Sequence, residues 1–172
     1  MNSIIKKAAL AAALVTASSS AFAIDTRISV YANVDTTLAF QQEDGSPLPD
    51  SITMNYLPDF TTGRPGGLEP WKLNTRIFTN DDSKNIEVSL QNALELVPTI
   101  GVIGATPVPM TVTLHGLELT ATSQDLAATD LFDGAIPGVS KPLELAITQT
   151  TAGPLKTGSY EGMATIVMRH KP

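Results

Sequence analysis

The sequence predicts an all-β domain built as a two-sheet sandwich, and three observations carry that expectation. Apolar residues recur at every second position in short runs, turn-forming residues separate the runs, and 12 glycines and 12 prolines are spread so evenly that no long helix fits between them. Leu38 and Phe40 open the domain, and Ile52, Met54 and Tyr56 alternate with polar neighbours after them. Trp71, Leu73, Thr75 and Ile77 form the next run, then Ile86, Val88 and Leu90. Met110, Val112 and Leu114 follow, then Leu143, Leu145 and Ile147, and finally Tyr160, Gly162, Ala164, Ile166 and Met168. Period two sends the apolar side chains of each run to one face, as a half-buried strand requires. The breaks are Asp44-Gly45-Ser46-Pro47, Gly63-Arg64-Pro65-Gly66-Gly67, Asn80-Asp81-Asp82-Ser83, Ile136-Pro137-Gly138 and Gly153-Pro154. Their residues preset turn dihedrals or bond their own backbone, so each reads as a turn or loop.

Residues 1–23 have the organisation of an export signal. Lys6 and Lys7 form a positive region, residues 8–17 an apolar core, and Ala21-Phe22-Ala23 the small-x-small pattern read by a signal peptidase. That core is too short to cross a bilayer of about 30 Å as a helix. The mature protein is therefore expected to begin at Ile24, exported and acidic.

Composition excludes several function classes. The 172 residues suit one ordinary domain. The 11 basic against 17 acidic residues, a net charge of -6, argue against a nucleic-acid partner, whose binding needs a basic surface to displace counterions. Cysteine is absent, which removes disulfides, thiol catalysis and thiolate metal sites, and His115 and His170 are the two imidazoles. In the stretch from Asp81 to Glu87, Ile86 stands where a calcium loop needs glycine, so it reads as a hairpin turn. His115-Gly116 reads as a turn with no Gly-x-Ser-x-Gly motif to pair with it, and residues 63–67 lack the Gly-Lys-Ser/Thr ending of a phosphate loop. Asp125, Asp130 and Asp133 read as solvated loop charges, and Trp71 as core rather than a sugar-stacking platform. No enzyme, cofactor or metal site is expected.

One segment does not fit inside the sandwich. Across residues 24–40 the even positions are Ile24, Thr26, Ile28, Val30, Ala32, Val34, Thr36, Leu38 and Phe40, while the odd positions are mostly polar. At about 3.3 Å per residue the run would reach about 56 Å. A domain of this length is about 40 Å across. Either residues 24–35 project as an arm with one apolar face, for which a groove must exist, or the strand bends and switches sheets within its own domain.

Several stretches, in order and together spanning nearly all of the mature chain, resemble a known family. They are Ile28-Ser29-Val30-Tyr31-Ala32-Asn33-Val34-Asp35, Asp44-Gly45-Ser46-Pro47-Leu48-Pro49, Asn74-Thr75 with Thr79-Asn80-Asp81, and Leu155-Lys156-Thr157-Gly158-Ser159-Tyr160-Glu161-Gly162. The chain resembles the major pilins of colonisation factor antigen I type fimbriae, the class 5 or alpha-fimbriae of Gram-negative bacteria, and its lack of cysteine agrees with that group. The family often places proline directly after the Val-Asp pair, where this chain has Thr36, so a hinge attributed to that proline does not carry over.

The resemblance implies an incomplete immunoglobulin-like β-sandwich completed by a donor strand from a neighbouring subunit. It implies a division into a signal peptide (1–23), an N-terminal donor extension (24–35) and a pilin domain (36–172). Ile28, Val30, Ala32 and Val34 would be the inserted face, and Tyr160, Gly162, Ala164, Ile166 and Met168 the wall of the acceptor groove, with Gly158 and Gly162 leaving space for a close neighbour. The implied role is the major structural subunit of an adhesive pilus shaft, a homopolymer assembled head to tail by the chaperone-usher pathway. The implied partners are a periplasmic chaperone, an outer-membrane usher and a tip adhesin, and the implied route leads through the periplasm to the cell surface. Two other classes stay open on residues alone. A fimbrial adhesin or lectin-like subunit would need aromatic and amide residues clustered on loops, and a secreted hydrolase would need a nucleophile and base.

The exported protein is expected to start at Ile24, which its intact mass will show. Retention of residues 1–23 would contradict the export signal.

Overall fold

The computed structural model describes residues 29, 31, 32, 34–58, 66–99 and 104–172. The chain divides into two units, Met1–Val34 and Asp35–Pro172. In the first, Ser29, Tyr31, Ala32 and Val34 are exposed and outside regular structure. Ile28 and Val30 lie outside the described residues.

The second unit is almost wholly β. Its strands are β1 (Leu38–Gln42), β2 (Tyr56–Leu57), β3 (Gly67–Leu68), β4 (Trp71–Thr79), β5 (Ile86–Leu90), β6 (Glu95–Pro98), β7 (Val108–Leu114), β8 (Leu117–Glu118), β9 (Gln124–Leu126), β10 (Leu143–Gln149), β11 (Tyr160–Glu161) and β12 (Ile166–His170). A single turn of helix, α1 (Ala128–Leu131), separates β9 from β10. The larger sheet runs β1-β4-β10-β7-β6-β11, with β8 paired to β7, and the smaller runs β12-β5-β9. β2 and β3 form a short ladder of their own. All the pairings are antiparallel.

The period-two pattern sorts the side chains as the sequence predicts. In β5 the buried side chains are Ile86, Val88 and Leu90, and in β7 they are Val108, Met110, Val112 and Leu114. Ile77 from β4 and Leu143 and Leu145 from β10 complete the same core, and Leu131 closes it from α1. Each such side chain contributes about 1.5 to 3 kcal/mol relative to exposure.

Two polar residues sit inside that core with every group paired. Thr75 Oγ1 donates to the Leu143 carbonyl at 2.7 Å. Ser140 Oγ accepts from the Ile77 N–H at 2.9 Å and donates to the Lys141 carbonyl at 2.8 Å, while the Ser140 N–H reaches the Ile77 carbonyl at 2.9 Å. A side chain thus supplies the ladder bond where β4 passes the chain entering β10. At the start of β1, Asn80 plays a similar part. Its Oδ1 accepts from the Thr37 N–H and its Nδ2 donates to the Asp35 carbonyl, both at 2.8 Å.

The turn between β7 and β8 has His115 at φ 51° and Gly116 at φ 79°, the two left-handed positions of a type I′ hairpin. Gly138, at φ 71°, brings its α-carbon so close to β4 that a Cβ there would lie 2.2 Å from the Thr79 carbonyl oxygen.

Two expectations about strands need correction. Ile52 and Met54 lie outside any strand, and only Tyr56 of that run pairs, through β2. Residues 48–55 alternate correctly but have no ladder partner among the described residues. The final run is not one strand either: β11 pairs with β6 in one sheet and β12 with β5 in the other, so the chain changes sheets between them. The short strands β6 and β9, which the sequence pattern does not pick out, carry too little alternation to stand out.

Replacing Ser140 with Ala leaves the Ile77 N–H buried without its acceptor, a loss of about 1 to 3 kcal/mol. Chemical unfolding followed by the single tryptophan, Trp71, should show it, with exposed Ser123→Ala near neutral.

Candidate functional site

The smaller sheet ends in an unpaired strand. β12 bonds to β5 on one side and to no strand on the other among the described residues. The Gln91 N–H donates to the Thr165 carbonyl and the Lys171 N–H to the Asn85 carbonyl. Odd-numbered residues therefore spend their backbone groups on β5, and by the antiparallel pattern Ile166 and Met168 turn their N–H and C=O to the open edge. Such an edge is a template for another strand.

An apolar groove of about 860 Å³ accompanies this edge. The C-terminal run contributes residues 158–164 and Ile166 to its lining, and the unpaired stretch 48–54 contributes a second length of chain. Leu94, Leu96, Met110, Leu145 and Ile147, members of the core or packed against it, also reach the groove, together with Trp71. Trp71, Leu96 and Ile147 are only half-buried at the groove, while Leu94, Met110 and Leu145 stay buried in its floor.

The wall residues separate into distinct roles. Tyr160, Gly162, Ala164 and Ile166 line the groove, whereas Met168 is half-buried against the core beyond it. A Cβ on Gly162 would stand 2.4 Å from the Glu95 carbonyl oxygen and 3.0 Å from Leu96 Cδ2. The space beside Gly162 is therefore taken by β6 of the same chain, not left for a visitor. The loop before β11 is pinned by Tyr160 Oη donating to the Lys156 carbonyl and by Lys156 Nζ donating to the Gly104 carbonyl. Of the inserted face, Ala32 and Val34 are exposed.

The groove's charged lining residues are Asp50, Lys156 and Glu161. Elsewhere the acidic turns are occupied by their own serines. Hydrogen bonds from Ser46 hold the Asp44 carboxyl below its ordinary value, and the Ser83 hydroxyl does the same for Asp81. Among the described residues no group of three His, Asp or Glu side chains is placed to hold a metal ion. What the site can do chemically is accept an extended segment, with main-chain bonds along the edge and alternate apolar side chains below it. Sequence reasoning missed the contribution of residues 48–54, because alternation alone does not tell a paired strand from an unpaired one. Pro49, which cannot donate to a ladder, was the available signal.

Comparisons with known proteins agree with this architecture. The family described as CS1 type fimbrial major subunit matches residues 24–169. A CS1 fimbrial subunit of Escherichia coli is 31% identical over 172 residues, covering 93% of each chain. A CFA/I fimbrial subunit of Escherichia coli O78:H11 is 32% identical over 154 residues, covering 87% of this chain and 86% of the relative. The solved structure of the CooA pilin subunit from enterotoxigenic Escherichia coli superposes with a TM-score of 0.64 at 24% identity, covering 78% of this chain and 87% of that one. The domain thus has an immunoglobulin-like pilin fold.

Replacing Gly162 with Ala forces β11 away from β6, and overpacking of this kind costs about 1 to 3 kcal/mol. Gly153, where an added Cβ meets nothing within 4 Å, is the control. Gly153→Ala should be near neutral in the same unfolding measurement and Gly162→Ala clearly destabilised.

Proposed function

The chain belongs to the family of CS1 type fimbrial major subunits and is a structural, non-enzymatic subunit of a surface fimbria; from that premise we propose that its subunits join by strand donation. Residues 24–35 of one subunit, with Ile28, Val30, Ala32 and Val34 on the inserted face, occupy the groove of the next, and residues 36–172 form the recipient domain. The observation that carries the reading is the apolar groove that meets the free edge of β12 at Ile166.

Magnitudes support a durable joint. Burying Ile28, Val30 and Val34, with less from Ala32, is worth on the order of 5 to 10 kcal/mol. A ladder of main-chain bonds adds about 0.5 to 1.5 kcal/mol each. Ordering the arm offsets part of this, at about 1 kcal/mol or more per residue. Because donor and groove are different patches of one chain, each joint leaves a free arm and a free groove, and the product is a filament.

The same open edge is why a periplasmic chaperone and an outer-membrane usher belong to this reading. A subunit released with its groove empty pairs wrongly, so the groove is occupied during transit and exchanged at the membrane, with a tip adhesin ending the fibre. Residues 1–23 direct the chain into that route.

Replacing Val30 with Asp sets an unpaired carboxylate in the groove, at a cost of several kcal/mol. Replacing Ser29 with Asp changes charge equally on the opposite face. Fibres counted by electron microscopy on cells expressing each variant with its secretion genes should be lost or severely shortened for Val30→Asp and retained for Ser29→Asp. Equal assembly by both would sink the donor-arm reading.

A further inference from the structure

The chain entering the domain is held at its first residues by one side chain. β1 begins at Leu38, paired with Thr79 at the end of β4. One further step of that ladder would set Thr37 opposite Asn80, and there the Asn80 carboxamide does the bonding. Its Oδ1 accepts from the Thr37 N–H and its Nδ2 donates to the Asp35 carbonyl, both at 2.8 Å. The residues on either side anchor Asn80 itself. The Asp81 N–H donates to Thr79 Oγ1 at 3.0 Å, and that hydroxyl also bonds His170 Nε2 of β12 at 2.9 Å. The clamp therefore stands on both sheets.

Its two bonds flank Thr36. The Asp35 carbonyl belongs to the peptide plane before that residue and the Thr37 N–H to the plane after it, so only φ and ψ of Thr36 lie between them. One planar amide bonded to both planes fixes both angles. A proline at this position would fix φ alone, and the residue here is Thr36. Residues 35–37 separate Val34, the end of the inserted face, from β1. Unclamped, all of them turn freely. With Thr36 fixed and Thr37 caught between the clamp and the ladder, Asp35 alone is left free.

We propose that Asn80 is the positioning residue of the joint between subunits: by clamping the root of the donor arm it sets the angle at which one domain follows the next along the fibre. The inference rests on the donor-arm reading, under which the arm is fixed in the next subunit's groove, and it concerns what lies outside that groove. A joint with three free residues gives beads on a string, whereas a joint with one gives a fibre with a preferred course. Both bonds are solvent-exposed, so they contribute little to the stability of the domain and act on orientation instead.

The chain has no cysteine, so a nitroxide on exposed Ser123→Cys is the sole label in each subunit. Fibres are purified from cells expressing the full chain with its secretion genes, and double electron–electron resonance gives the distances between labels on adjacent subunits. Asn80→Ala is expected to assemble and to broaden that distribution by about 1.5- to 2-fold, since the spread of a flexible link grows as the square root of its free residues. The control is Asn74→Ala, which removes an exposed amide bonded to Glu43 on the same strand and is expected to keep the unsubstituted spread. Unfolding followed by Trp71 is expected to be alike in the two variants. An unchanged spread in Asn80→Ala, equal broadening in Asn74→Ala, or broadening accompanied by a lowered unfolding midpoint would overturn the proposal. Val30→Asp, scored beside them, separates the two levels. If it assembles normally, the donor-arm reading falls and the clamp's role falls with it. If it blocks assembly while Asn80→Ala leaves the spread unchanged, the clamp's role alone is overturned. Should Asn80→Ala give no fibres, Asn80→Asp serves instead, keeping an acceptor for the Thr37 N–H while turning an oxygen toward the Asp35 carbonyl. The same broadening is expected of it, and an unchanged spread, or loss of fibres in both variants, would overturn the proposal.

Discussion

A strand with one side unpaired, lying beside a groove whose floor is the core, is the constraint on which the rest of this molecule depends. β12 contributes Ile166 to the groove and offers its outer backbone groups to no strand among the described residues. Of the other outer strands, β9 has three residues and β11 two, while β1 has five. Brevity is a common way to keep an edge from recruiting neighbours. β12 also has five residues and, unlike β1, contributes to the apolar groove, which makes it the edge best suited to recruit one. On the strand-donation reading, a fold that closed this gap with its own chain would be more stable alone and unable to polymerise.

The rest of the domain must hold its shape while that gap is open. Burial of Ile77, Ile86, Val88, Leu114 and Leu143 supplies most of the stability. The polar pairs at Thr75 and Ser140 add specificity, because each satisfies only one arrangement of β4 against the chain entering β10. No disulfide assists, since the chain has no cysteine. Asn80 fixes Asp35 and Thr37 at the point where the domain begins, substituting a side-chain amide for a backbone partner one residue beyond the β1 ladder. The free edge is thus set in a frame whose buried side-chain polar groups are all paired among the described residues.

Much of this was legible in the sequence, for a physical reason. β4, β5, β7 and β10 are long enough for period two to show, and each has one face on the core. Residues 52–55 show the limit: their alternation is equally regular, yet pairing depends on a partner strand that the local sequence does not name. The last run shows another. Tyr160 to Met168 keeps one phase throughout, but Gly162 lets the chain lie against Glu95 and change sheets, a long-range contact with no local signature. The groove was legible only as a need, from an apolar face on residues 24–35 with nowhere to go. That Ile147 and Trp71 would be left half-buried in it follows from how two sheets part, not from any residue's own character.

Register is the constraint that a polymer adds to those of a single domain. On the strand-donation reading, a slip of one residue along an edge would turn Ile28, Val30, Ala32 and Val34 away from the groove and forfeit the burial that joins subunits. A slip of two preserves the faces and loses only an end pair, a difference of about one side chain's worth of burial. A long fibre needs the same register at every joint, since each error changes the spacing of the next subunit. The discriminating energy must then come from contacts that repeat less regularly than the apolar face does. On the arm the odd positions are Asp25, Arg27, Ser29, Tyr31, Asn33 and Asp35, of which Tyr31 alone carries a large apolar surface. A single aromatic among polar neighbours is the kind of asymmetry a repeating apolar face lacks.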